Sequence, residues 1–167
     1  MYGRLGVSDV TDAILAFLRS IGIEVRESTL EAPTFLPGIT IERGVLLYDP
    51  VRLQYPGDLL HEAGHIAFTP ARDRRALSAH ATGDLGEEIA AIAWSYAALV
   101  HLGIDPAIVF HEGGYRGSSR AFIENFATGH YAGVPMLAWA GMAAEKTRGT
   151  TPEIAYPRML QWLRGDP

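Results

Sequence analysis

The chain has 167 residues, 48% of them hydrophobic and 20% charged, with a formal net charge of −5 and no cysteine. That composition suits one globular domain with a substantial core, and it excludes a disordered chain. It also argues against a general nucleic-acid binder and rules out disulfides and cysteine-based zinc sites; the missing cysteine fits a reducing, cytoplasmic setting.

Ser8 or Asp9 caps a first predicted helix that runs to about Ser20, with Val10, Ile14, Phe17, Leu18 and Ile21 facing inward. Gly22 ends it. Asp9 and Asp12 stand where a signal peptide would need an unbroken apolar run, so no targeting segment is expected. Ile23 to Glu27 reads as a short strand, and Thr34 to Pro37 is extended and broken by prolines. Ile39 to Arg43 and Val45 to Tyr48 form a predicted hairpin about Arg43-Gly44, giving a small, mostly antiparallel sheet. Pro56-Gly57-Asp58 supplies a turn and an N-cap for a helix over Asp58 to Phe68.

Thr69 to Gly83 is polar and irregular, and Asp73 interrupts the basic cluster of Arg72, Arg74 and Arg75. Leu85 to about Leu102 is predicted as a helix apolar nearly all round, stopped by Gly103 and Asp105-Pro106. Its apolar run is short for a membrane span of about 20 residues, and two glutamates precede it, so a core helix is expected. After a Gly-rich turn over residues 113–117, Ser118 or Ser119 caps a helix over Arg120 to Ala127. Val134 to Ala144 is a compact apolar stretch, and Tyr156 to Arg164 reads as a terminal helix. No repeat or linker divides the chain, so residues 1–167 are expected to form one α+β domain.

One motif in that series carries chemistry. His61-Glu62-Ala63-Gly64-His65 is an H-E-x-x-H pentad. On a helix, residues i and i+4 share a face, so His61 and His65 can direct imidazole nitrogens at one metal ion. Two neutral imidazoles suit Zn²⁺, and Glu62, one step round the helix, can act as general base on a water at the metal. Apolar neighbours on several faces suggest burial, where such a cluster needs a partner for its polar groups. Gly64 costs about 1 kcal/mol against Ala in a helix. Close packing against the sheet or the next helix, or room for substrate, would each account for it.

A zinc site needs a third protein ligand. Residues 68–73 hold no third histidine, which leaves Glu87 and Glu88 at the start of the next helix. With Asp84 as N-cap, Glu87 falls at the position that reaches back to the cap. Glu88 lies in line with Leu85, Ile92 and Leu99, and a carboxylate pointing into a core needs a cation. Glu88 is favoured, with Glu87 as the alternative.

His61, Glu62 and His65 followed by Glu88 on a later helix resemble the gluzincin branch of zinc metallopeptidases. The order of N-terminal helix, small sheet, active-site helix and glutamate helix resembles the minigluzincins and ImmA/IrrE-type peptidases. The resemblance covers about residues 8 to 104 and implies a zincin-like fold with further C-terminal helices. It also implies zinc held by His61, His65 and Glu88, with Glu62 activating water. In this chain Ile89-Ala90-Ala91 follow the glutamate where the family usually has Ala-Asn.

Peptide hydrolysis develops an oxyanion that usually needs a donor besides the metal. His130 and Tyr131, in a glycine-flanked loop, are the candidates weighed for a catalytic part, beside packing or solvation. Tyr115 and Arg116 occupy a similar turn, while His80, His101 and His111 lack supporting spacing. The expectation is a cytoplasmic zinc hydrolase acting on a peptide or protein, an extended substrate adding a strand to the sheet edge. The alternative is a metal-binding regulatory or interaction module, for which Val134 to Ala144, with Trp139 and Met142, would offer a homodimer surface or a cover for the cleft. Ordinary core packing is the simpler account of that stretch.

Overall fold

Two central helices organise the computed structural model, which describes residues 7–78, 84–114, 117–147 and 149–166. They are α2 (Asp58–Phe68) and α3 (Leu85–Leu102), and they pack against each other more extensively than any other pair of elements. Leu59, Leu60, Ala63, Ile66 and Ala67 of α2 are buried, as are Ala90, Ala93, Trp94, Ala97 and Leu99 of α3. Each wholly buried leucine contributes on the order of 2 kcal/mol. Small residues line much of α3, which lets the two backbones approach closely. A Cβ on Gly64 would lie 2.9 Å from the Ala91 carbonyl oxygen, so helix packing accounts for this glycine.

Among the described residues there are six α-helices and one three-stranded sheet, an α+β fold. Helix α1 (Val7–Ser20) buries Val10, Ile14, Leu15, Phe17 and Leu18, and Gly22 follows at φ 92°. Strands β1 (Val25–Glu27), β2 (Ile39–Glu42) and β3 (Val45–Tyr48) are arranged in the order β1-β3-β2. The hairpin is as expected. Glu42 pairs with Val45 across Arg43 (φ 52°) and Gly44 (φ 76°), a two-residue turn with both central residues at positive φ.

The sheet is mixed rather than mostly antiparallel, because β1 pairs parallel to β3. Residues 28–38 carry the chain from β1 past β3 to its far side, so the first two strands flank the third. Asp49 anchors that crossing, accepting from the Leu30 N–H at 3.0 Å and the Val51 N–H at 2.9 Å. These bonds, Leu30's foremost, hold the Asp49 carboxyl below its ordinary value of 3.8. A lowered folded-state value contributes stability above 3.8 that is lost as pH falls through it. Asp49→Asn should therefore lose stability less steeply than wild type between pH 5 and 2. Urea unfolding across that range checks this, and parallel acid limbs would refute it.

Two further expectations are corrected. Asp58 does not cap α2: Gly57 occupies the cap position without a side-chain bond, and the Asp58 carboxylate is engaged by His111. Residues 156–164 form no helix. Bridges from Ala144 to Ala155 and from Ala143 to Met159 draw this segment into an irregular strap. Its apolar residues pack on α3: Tyr156 Oη donates to the Ala93 carbonyl at 2.8 Å, and Trp94 Nε1 donates to the Trp162 carbonyl at 2.9 Å. Asp105-Pro106, expected only to stop α3, also caps and opens the short helix α4 (Pro106–Val109), and α5 (Ser119–Ala127) lies where the sequence predicts it. Helix α6 (Val134–Trp139) packs on α3, burying Val134 and Leu137 and leaving Trp139 exposed. No helix among the described residues is long and apolar enough to cross a membrane.

Candidate metal centre

The positions of His61 and His65, one turn apart on α2, bring their Nε2 atoms to 3.3 Å. Asp84 starts α3, its carboxylate accepting from the Gly86 and Glu87 N–H groups, and so fixes where the first turn points. Glu88 then faces α2. One of its oxygens lies 3.5 Å from His61 Nε2 and the other 3.3 Å from His65 Nε2. Among the described residues, His61, His65 and Glu88 are the only group of three whose ligand atoms cluster closely enough to hold a metal ion. Glu87, the alternative third ligand, is not in the group.

The spacing can be compared with that demanded by a metal. Four ligands at 2.0–2.1 Å in a tetrahedron stand about 3.3 Å from one another. The two imidazole nitrogens, 3.3 Å apart, stand at that edge. Different oxygens of Glu88 face each of them, 3.5 Å from His61 and 3.3 Å from His65, and one ligand atom from each of the three residues lies within 4.8 Å of the others. Two imidazole nitrogens and a carboxylate oxygen are a donor set that suits Zn²⁺. The residues present therefore fit such an ion.

Electrostatics give the cluster a distinct character. Hydrogen bonds from His61 and His65 hold the Glu88 carboxyl far below the usual range. Burial works against a charged His65 ring, but Glu88 and Glu62 outweigh it and keep this imidazole above its ordinary value. Burial pushes the Glu62 carboxyl up, against the pull of both histidines. Glu62 lines the same cleft, of about 980 Å³, as the three clustered residues. Strand β2 and residues 28–36 form much of its rim.

The motif residues are thus brought together, and the other candidates are placed elsewhere. His130 is exposed, its Nδ1 lying 3.0 Å from Thr128 Oγ1. Tyr131 packs edge-on to Tyr156 with centroids 4.7 Å apart, and also against Phe126 and Tyr96. Neither is among the residues lining the cleft. The glycine-flanked loop that bears them turns toward α3: a Cβ on Gly133, at φ 86°, would sit 1.9 Å from the Ile89 carbonyl oxygen. His101 is exposed at the ring edges of Phe17 and Trp162. His80, Tyr115 and Arg116 lie outside the described residues.

One pair escaped sequence reasoning. His111 Nε2 lies 2.7 Å from Asp58 Oδ1, both residues are largely buried, and the His111 ring stacks on Tyr55 at 3.8 Å. Burial raises the Asp58 carboxyl even though His111 opposes the shift. Asp58 lines the cleft one turn before Glu62, and that i, i+4 relation was the available signal. Its partner, 53 residues away, had none.

No protein-family model matches the chain, and no curated protein or solved structure is significantly similar to it.

Proposed function

We propose that this chain is a zinc-dependent hydrolase, a small peptidase with the zincin-like arrangement of the gluzincin branch. The observation that carries the reading is the convergence of His61, His65 and Glu88, one ligand atom from each within 4.8 Å of the others, with Glu62 in the same cleft. When bound there, the ion would polarise a carbonyl and acidify a water. His61 and His65 hold their side of the site from α2, and Glu88 closes it from α3. Glu62, part-buried beside them, takes the proton from the attacking water and passes it to the leaving amine. Burial raises its carboxyl above the ordinary value, the direction that makes a carboxylate a stronger base.

The cleft suits an extended substrate. Strand β2 is an edge of the described sheet and lines the cavity; its Ile39 N–H is taken by the Leu36 carbonyl, and the rest of that edge is placed to pair with a peptide. The regulatory-module reading called for a fourth protein ligand or a cleft closed by residues 117–144. Among the described residues no fourth side chain joins the cluster, and within 117–144 only Phe122 reaches the cleft.

The test is digestion of a mixed peptide library by zinc-loaded protein, followed by mass spectrometry, with Glu62→Gln alongside. Wild type should cleave, and Glu62→Gln should retain zinc while losing about 10²–10⁴-fold in rate. Equal rates for the two proteins, or no cleavage by the zinc-loaded wild type, would overturn the proposal.

A further inference from the structure

The charges lining the cleft are one-sided. Glu31, Glu42, Asp58, Glu62 and Glu88 face it, and among the described residues no lysine or arginine does. Three of the five carboxylates have internal partners: Glu88 has the two histidines, Glu62 lies in their field, and Asp58 has His111. A divalent ion would offset two of these negative charges. Glu31 and Glu42, both exposed on the rim, would still be uncompensated within the cleft.

The two rim glutamates differ in setting. Arg52 Nη1 reaches the carbonyls of Glu31 and Ala32 at 3.4 Å, so a cation already stands beside Glu31. Glu42 ends the edge strand β2, whose Ile39 N–H is held by the Leu36 carbonyl and beyond which the Arg43 N–H donates to Ser78 Oγ at 3.5 Å. Along β2, Ile39 and Ile41 are buried while Glu42 is exposed, so its carboxylate stands on the face turned from the core. A peptide strand added to this edge would place one side chain directly across from Glu42, about 5 Å away between Cβ atoms. Opposite charges favour that position and like charges oppose it.

We infer that the cleft selects an extended segment of a basic polypeptide, with Glu42 as the residue that reads a lysine or arginine of the substrate. The inference rests on the peptidase reading for its chemistry but on the edge strand and the charge distribution for its selectivity. Neighbouring acidic groups add a longer-range field that steers basic chains to the cleft and weakens with salt.

The experiment uses one fluorescent peptide series in which each position in turn is lysine, glutamine or glutamate. Binding to the zinc-loaded Glu62→Gln protein is followed by anisotropy, and cleavage by zinc-loaded wild type is followed in parallel. At the best position and low salt, lysine should exceed glutamate by about tenfold in both measurements, the gap shrinking at 0.5 M salt. Glu42→Gln should narrow the ratio several-fold and Glu42→Lys should invert it, with zinc content unchanged. Equal handling of lysine and glutamate peptides, or an unaltered preference in Glu42→Lys, would overturn the inference while leaving the peptidase intact. Lysine-selective binding without cleavage of any peptide would instead support the inference and count against the hydrolase.

Discussion

Protein purified without a metal-affinity tag should carry, or take up, one zinc per chain, and should lose it in His61→Ala and in Glu88→Gln while keeping it in Glu87→Gln. The two glutamates are adjacent on the same turn, so this comparison separates a ligand from a bystander with little change in helix stability. Zinc at a thousand times its dissociation constant would stabilise the chain by about 4 kcal/mol. At the size of this protein that corresponds to a rise of about 10 °C in melting temperature. Metal analysis and thermal melts of the four proteins give the answer. Zinc retained in Glu88→Gln, or wild type that melts identically with and without it, would remove the cluster as a metal centre.

The second large effect is expected at Gly64. Alanine there improves helix propensity by about 1 kcal/mol, and on an exposed helix it would stabilise. In this chain the new methyl group meets backbone: the Ala91 carbonyl oxygen at 2.9 Å and its Cα at 3.0 Å. Neither can rotate away, so α3 must shift as a body. Overpacking of this kind costs about 1–3 kcal/mol, which outweighs the propensity gain. Because Ala91 lies three residues beyond Glu88 on the same helix, the shift also opens the ligand cluster. Gly64→Ala should thus unfold at lower urea and bind zinc about tenfold more weakly, a displacement of about 1.4 kcal/mol in affinity. Unchanged stability and affinity would mean that the two helices are less closely engaged than their geometry indicates.

Local signals explain what was legible from residue order. The pentad and both central helices follow from spacing along single helices, where an i, i+4 or i, i+7 relation states which side chains share a face. Glu88 does face the histidines, but the buried line assigned to it is not there, since Leu85 is 76% exposed and the Glu88 side chain 41%. The hairpin was readable because Arg43-Gly44 is short enough for local turn chemistry to determine it. What was missed depends on distant partners. Parallel pairing of β1 with β3 is decided by the path of residues 28–38, which leaves no mark on strand patterning. Tyr156 to Arg164 has apolar residues at helical intervals, yet bridges to Ala143 and Ala144 and contacts with α3 claim it as a strap. His130 and Tyr131 stand between Gly129, which faces open space, and Gly133, which admits the Ile89 carbonyl, so the glycine pattern reflects helix packing rather than an approach to substrate. His111 has no local signal because Asp58, the residue that gives it meaning, lies on another element.

The strap also bears on the order in which the protein is made. The three ligand side chains are all present once residue 88 has been added. Helix α3 and the segment after α2, however, share polar and aromatic partners with residues far downstream: Ala93 with Tyr156, Trp94 with Trp162, and the Arg74 guanidinium with the Arg164 carbonyl. These bonds join positions 63, 68 and 90 residues apart. Contacts of such separation form late, after the entropy of closing long loops has been met. A nascent chain halted near residue 150 would hold His61, His65 and Glu88 and lack the clasp that sets the outer faces of α2 and α3. The final setting of the two central helices is therefore acquired after synthesis has passed the strap rather than when the pentad emerges.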